Sequence, residues 1–424
     1  MIFTTNIKSY MRIVLGFLLL SSLLLSFSGF ALELSLEEED DSIPITIMPI
    51  SGKAGGIIEA DLKRSGRLKI ISSSKITGLS PFGGSIADIN KYETITDYIV
   101  RGKPDINGGL QLELISTSDK AVTLYNISAN AHLRRVAHKA ADKIYEKITR
   151  IKGAFDTRLA YVTVTDKASD NRVFRLYIAD SDGYKPQQVL SSHLPIMSPA
   201  WSPDASKLAY VSFEENNTSG IYIQNIFTGE KRKISAREGI NGAPSWSPDG
   251  TRLAMSLSVS GNPEIYVINV KSGALTQITH SSAIDTEPVW NGSNMLVFTS
   301  NRGGTAQLYQ ANAGGGSVKR MSFDGRYNSA ADIANKKMAY ITGTRGAFHV
   351  AIKSINGSGK EILSNGRLDE SPTISPNGAM VAYTTLRNGE NTLAVVSDNA
   401  RARQFLTSAA GDVREPAWSP YLDK

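Results

Sequence analysis

Through the second half of the chain, apolar and polar positions alternate in short runs that return at a near-constant interval. LAYVS at 208–212 is one such run, and alternation over four to eight residues is the mark of a half-buried β-strand. The large residue at the centre of each copy gives the period. Tyr210, Met255, Phe298, Tyr340 and Tyr383 follow one another at 45, 43, 42 and 43 residues, and Tyr161 in RLAYV stands 49 residues before Tyr210. Six copies result. Ahead of the alternating run comes a second phrase: PAWSPDASK at 199–207, PSWSPDGTR at 244–252, PVWNGSN at 288–294 and PTISPNGA at 372–379. Its Pro, Asp and Gly suit positions two to four of a type I turn.

Two further runs complete each copy. LYI (176–178), IYI (221–223), IYV (265–267) and LYQ (308–310) read as third strands. After a glycine turn, QQVLS, KRKIS, LTQIT and VKRMS read as fourth strands. Four short strands in about 40–45 residues make a β-propeller blade. The WD signature is missing, which points to another propeller class. The first copy lacks a Trp strand before Leu159, and the last Trp strand, PAWSPYL at 416–422, has no blade after it. The two defects complement each other. The C-terminal strand is expected to complete blade 1 and close the ring, which removes exposed sheet edges. The Trp and Tyr of the repeats read as blade core, since aromatics dominate core burial.

Ahead of the repeats the pattern changes. IPITIMPI (43–50) reads as a strand, 54–65 as a helix and 68–72 as a strand. Residues 98–101 and 110–116 flank the turn DINGG as a hairpin. Apolar residues at 133, 136, 137, 140, 141, 144, 148 and 151 have helical spacing with one buried face. Residues 73–91 are rich in Ser and Gly and read as loop. The fold class is therefore a small N-terminal α/β domain followed by a six-bladed β-propeller closed by the C-terminal strand. The boundaries fall at 1–31 for a signal peptide, 32–42 for a mobile N-terminal tip, 43–152 for the α/β domain and 153–424 for the propeller.

The signal peptide rests on Lys8 and Arg12 ahead of an apolar stretch, with Gly29 and Ala31 as small residues at a cleavage site. An uncleaved anchor is the alternative, because 13–32 carries no charge and is about 20 residues long. The serines and Gly29 favour cleavage and export to the periplasm. The chain has no cysteine, so it forms no disulfide and offers none for a lipid anchor. Its net charge is +6, and +4 without Lys8 and Arg12. No Lys/Arg stripe with interleaved aromatics is present, so nucleic acid is not an expected partner.

Catalytic motifs are sparse. GGSIA (83–87) fails as a nucleophile elbow, and His132, His138, His193, His280 and His349 lack metal-ligand spacing. A loop pattern is richer. Before the Trp positions stand Ile196, Met197 and Ser198; Asn241, Gly242 and Ala243; Asp285, Thr286 and Glu287; Tyr327, Asn328 and Ser329; Asp369, Glu370 and Ser371; and Val413, Arg414 and Glu415. The common phase places these loops on one face, around the mouth of the channel. A binding rim for a protein or peptide is expected there. Its carboxylates could instead hold a Ca²⁺ in the channel; otherwise no cofactor or metal is expected.

The stretches EKITRIKGAFDTRLAYV (146–162), MSPAWSPDASKLAYV (197–211), NGAPSWSPDGTRLA (241–254), DTEPVW (285–290), LDESPTISPNGAMVAY (368–383) and the terminal PAWSPYL together resemble the TolB family of the Tol–Pal system. The resemblance implies a non-catalytic periplasmic interaction protein and a monomer. It implies that the channel mouth binds Pal, the peptidoglycan-associated lipoprotein, with peripheral association with the outer membrane through Pal. It implies that the N-terminal tip binds TolA, and that the system supports outer-membrane integrity and constriction at cell division. Carried over by position, the Pal-facing residues are Ser198, Asn241, Gly242, Ala243, Thr286, Glu287, Asp369 and Glu370. The TolA-facing residues are Leu32, Glu33, Leu34, Ser35 and Leu36. Ile240 stands where the family often has His, and EEEDD (37–41) replaces a more neutral stretch. An exported hydrolase is the rival reading, but the part outside the propeller is too short for the hydrolase domain it needs. A metal-dependent sugar- or lactone-acting propeller is a third reading.

Overall fold

The computed structural model describes residues 41–129, 132–166, 171–215, 218–344, 346–357 and 359–423. The expected signal peptide, and the tip residues Leu32, Glu33, Leu34, Ser35 and Leu36, lie outside the described residues. Among the described residues, no helix is long and apolar enough to cross a membrane.

The first sheet is mixed. Strands β1 (Ile43–Ile47), β2 (Leu68–Ile71), β3 (Tyr98–Pro104), β4 (Leu110–Ser116) and β5 (Val122–Ile127) lie in the order β2-β1-β3-β4-β5. β1 runs parallel to β2 and β3, and the remaining pairs are antiparallel. Helix α1 (Ala54–Arg64) makes the crossover from β1 to β2, and α2 (Leu133–Thr149) packs beside it. Ile58 and Leu62 of α1 and Val136, Ala140 and Ile144 of α2 bury their apolar stripes against Ile45, Val100, Leu112 and Leu114 of the sheet. α2 ends where Arg150 turns left-handed (φ 63°) and returns its N–H to the Glu146 carbonyl. The segment 73–91, read as loop, contains a short 3₁₀ turn at Ser73–Lys75. With Ile89–Tyr92 it covers the other face of the sheet, where Ile76, Ile89 and Tyr92 meet Ile99 and Ile115.

The described part of the second half forms six four-stranded sheets. The last strand, Asp412–Trp418, pairs antiparallel with the first propeller strand, Arg158–Thr165, from Asp412 opposite Val164 to Trp418 opposite Leu159. Blade 1 is thus built from both ends of the propeller sequence, and the innermost strands touch in an unbroken ring. Neighbouring blades share cores. Trp290 and Phe298 of blade 4 pack on Ala254, Ile265 and Val267 of blade 3, and the same arrangement joins blades 1 and 2, 2 and 3, and 5 and 6. The large residue that sets the sequence period is buried in every blade. In blades 1, 2 and 4 it stacks on the third-strand Tyr opposite, with ring centroids 5.8, 6.1 and 6.4 Å apart. Two Trp side chains stitch blades together: Trp201 Nε1 donates to the Ala417 carbonyl and Trp290 Nε1 to the Ser245 carbonyl, each on the preceding blade's innermost strand.

The α/β layer shares its core with blades 6 and 1, since Leu159, Tyr161, Met380, Val395 and Trp418 belong to the same cluster as Ile58 and Ile144. Contact is close enough to require glycine at one point. A Cβ on Gly66, at φ +65°, would lie 2.4 Å from Ser397 Oγ of blade 6.

Candidate functional site: the channel mouth

Six innermost strands line a central cavity of about 780 Å³. They are Ile196–Trp201, Asn241–Trp246, Asp285–Asn291, Tyr327–Ala334, Asp369–Ile374 and Asp412–Trp418. The residues expected in loops at the channel mouth are instead the opening residues of these strands. Five of the six contain a proline, and every one of the six carries a β-bulge. Thr286 pairs with Thr299 and Val289 with Val297, so Glu287 and Pro288 together face Phe298 alone. The same two-against-one step recurs in all six blades, each time opposite the large residue that marks the period.

The first residue of every bulge is left-handed: Ser198, Ala243, Glu287, Ala330, Ser371 and Glu415, with φ between 47° and 55°. None is glycine. A left-handed L-residue costs about 1–2 kcal/mol, and repetition in six blades means that the surrounding ring over-determines the conformation. All six line the cavity, because a bulge re-aims side chains that a regular strand would point elsewhere.

The acidic members of this layer act as pins between blades. Glu287 Oε2 accepts the Ala330 N–H of the next blade at 2.9 Å and the Thr299 hydroxyl at 2.7 Å. Glu415 accepts the Ser198 N–H of the next blade. Burial pushes the Glu415 carboxyl up from its ordinary range, against the lowering effect of that N–H. Asp332, two residues past the blade 5 bulge, accepts Ile374 N–H at 2.9 Å and Thr373 Oγ1–H at 2.8 Å. Thr373 Oγ1 in turn accepts the Trp418 N–H, linking blades 5, 6 and 1. Burial raises the Asp332 carboxyl as well.

The expected rim residues separate into three groups. Ser198, Gly242, Ala243, Thr286 and Glu287 line the cavity. Asn241 and Asp369 are buried and turn inward. Asn241 Oδ1 accepts from Ser235 Oγ and Arg237 N, while its Nδ2 donates to the Arg237 and Gly239 carbonyls. Asp369 Oδ2 accepts from Ser364 Oγ and Gly366 N. Both side chains hold the loop ahead of their own strand. Glu370 is exposed outside the cavity lining. Beside the rim, Met197, Val211, Phe213 and Ile240 frame a cleft of about 370 Å³, and Ile240 is 52 % exposed. Sequence reasoning missed Asp332, whose only signal is that it shares the phase of Ala200, Ser245 and Thr373.

Among the described residues, the channel carboxylates form no group of three within coordinating reach of one another. Carboxylate oxygens of Glu287, Glu415 and Asp332 already accept backbone N–H groups. The group of possible ligands that lies within coordinating reach among the described residues is elsewhere, at His138, Asp180 and Asp182. There the Arg134 guanidinium touches all three side chains and takes the place a cation would need.

Residues 145–422 match the family model of the TolB beta propeller domain. The Tol-Pal system protein TolB of Xanthomonas campestris pv. campestris (strain B100) is 42% identical across 95% of this chain and 97% of its own length. TolB of Xanthomonas oryzae pv. oryzae (strain MAFF 311018) is 42% identical across 89% and 90%. The crystal structure of TolB from Acinetobacter baumannii superposes with a TM-score of 0.81 at 38% identity, covering 90% of this chain and 97% of that one. A six-bladed propeller behind a small α/β layer, with this sequence along nearly its whole length, makes the chain a member of the TolB family of Tol–Pal system proteins.

Proposed function

We propose that this chain is a non-catalytic interaction protein of the periplasm. In this reading its channel mouth binds Pal and its N-terminal tip, residues 32–36, binds TolA. Through those two contacts it supports outer-membrane integrity and constriction during division. The observation that carries the proposal is the bulge layer. Six pre-set bulges display short side chains and carboxylates around one cavity, and a rigid ring that presents an irregular rim suits recognition of a protein surface. The rim carboxylates Glu287, Glu415 and Asp332 are engaged by backbone N–H groups. That engagement suits positioning better than general acid–base chemistry, which needs a carboxyl within reach of a substrate proton.

The test is calorimetric titration of the chain from Leu32 onward with the Pal domain of the same organism, beside Ile240→Glu and Thr286→Arg. Ile240 is exposed and Thr286 is half-buried at the cavity. Binding by the parent and a loss of tenfold or more in either folded variant, about 1.4 kcal/mol, is the expected outcome. A folded parent that does not bind overturns the assignment of Pal to this rim.

A further inference from the structure

We propose that the contact between α2 and blade 1 is a pH-operated latch, which holds the α/β layer on the propeller while His138 and Asp142 carry protons and loosens as they lose them. Spacing of four residues puts Arg134, His138 and Asp142 on one face of α2. His138 is 2 % exposed. Its Nδ1 lies 2.6 Å from Asp61 Oδ2 of α1, and its Nε2 lies 3.4 Å from Arg134 Nη2. Asp61 also pairs with Arg64, whose Nη2 reaches Ser181 Oγ in the turn after the blade 1 strand Val173–Asp180. Arg134 pairs with Asp180 and Asp182 of that turn. The charges facing His138 are therefore Asp61 and Arg64 from α1, Arg134 from its own helix, and Asp180 and Asp182 from blade 1. With an imidazolium the cluster holds three positive and three negative groups. Deprotonation leaves it one negative charge in excess, partly out of water.

Asp142, one turn further on, holds the segment between α2 and the first propeller strand. Its two oxygens accept the Phe155 N–H at 2.7 Å and the Asp156 N–H at 3.1 Å. Gly153 lies so close that a Cβ there would be 2.3 Å from Asp142 Oδ1. The groups facing Asp142 are Asp61 from α1, Asp156 from the joining segment, and Tyr421 from the C-terminal segment, with Lys152 over the Tyr421 ring. The nearby cations Arg135 and Lys139 are taken by Asp156 and Asp423. Among the described residues no cation pairs with Asp142, so burial makes its ionised form costly in spite of the two N–H donors.

The titration directions agree with this geometry. Burial opposes charge on His138, but the Asp61 carboxylate outweighs it and the imidazole is raised above its ordinary value. Burial pushes Asp142 up to about 7, against the lowering effect of its two N–H donors. Both groups are raised in the closed interface. Their stabilisation is complete below the ordinary values, near 4 for Asp and 6.5 for His, and is lost as pH rises through the closed-state values. The latch is therefore tighter at pH 5.5 than at pH 8.5.

The chain lacks cysteine, which makes paired spin labels simple to place. Ile106→Cys in the α/β layer and Phe227→Cys in blade 2 sit at positions 100 % and 71 % exposed. The expected result is a narrow label–label distance distribution at pH 5.5 that broadens at pH 8.5, with no pH response in His138→Gln/Asp142→Asn. An identical distribution at both values, or a response that survives the double substitution, overturns the proposal. Should the double variant not fold, amide exchange over 150–157 in the unaltered chain decides. After correction for intrinsic rates, protection should fall by about tenfold or more from pH 5.5 to 8.5, the equivalent of one pKa unit. Unchanged protection overturns the latch.

Discussion

Glu287 of blade 4 accepts the backbone N–H of Ala330 in blade 5 at 2.9 Å, so one left-handed bulge residue holds the next in place. The ring around the channel is thereby coupled from blade to blade at the layer where its side chains are presented. Removing the carboxylate leaves the Ala330 N–H only the Thr299 hydroxyl, at 3.2 Å. Glu287→Ala is expected to lower the unfolding free energy by about 1–2 kcal/mol. Glu287→Gln keeps one acceptor oxygen and should cost less than half as much. Urea denaturation of the two variants measures the difference. Equal losses would mean that the charge, and not the acceptor, supports the ring.

Two glycines separate backbone conformation from crowding. Gly183 (φ +81°) sits in the blade 1 turn, where a Cβ would stand 2.3 Å from the Thr407 carbonyl oxygen. Gly229 (φ +74°) sits in the blade 2 turn with nothing within 4 Å. Gly229→Ala should cost about 1 kcal/mol, the left-handed penalty alone. Gly183→Ala adds an overlap with backbone that cannot yield cheaply, and should cost about 2–4 kcal/mol. Thermal unfolding of the pair tests the order, and a Gly229→Ala loss equal to that of Gly183→Ala would refute it.

The repeat period, blade closure by 416–422, and the helix beginning at Leu133 were legible because each depends on local pattern. Alternation of two or of three to four residues survives in any copy of a repeat. The bulges were not legible. Ser198, Ala243, Glu287, Ala330, Ser371 and Glu415 are Ser, Ala and Glu twice each, none of them a residue type that favours a left-handed backbone, and the two-against-one step shows only in the register with the next strand. The burial of Asn241 and Asp369 was not legible, because a polar residue at a strand entrance reads as wet. Here each satisfies the loop before it and is buried for that reason. Strand β5 was not legible because two of its three exposed positions are Val122 and Leu124, with only Asn126 polar, which blurs the alternation.

The aspartates of the SPDG turn of blade 3 and the SPDA turn of blade 2 set an acid limit on blade stability. Asp249 accepts the Ser247 hydroxyl, then the Thr251 N–H and hydroxyl, and these bonds hold its carboxyl at about 2. Asp204 is held at about 2 by Ser202 and Ser206 in spite of partial burial. Both values lie below the ordinary 3.8, so the folded state favours the ionised form. Their contribution is complete above about pH 4 and is lost as pH falls through about 2. Both side chains are largely in solvent, so screening reduces the effect to about 0.5 kcal/mol each. Asn377 occupies the same phase in blade 6 and receives the Ser375 hydroxyl and the Ala379 N–H without titrating. An Asp204→Asn/Asp249→Asn variant should therefore match the parent at pH 7 within about 0.5 kcal/mol, since Asn keeps an acceptor oxygen. Between pH 4.5 and 2.5 it should lose about 1 kcal/mol less than the parent, read from urea unfolding at each pH. An acid slope identical to the parent would show that these carboxylates do not set it.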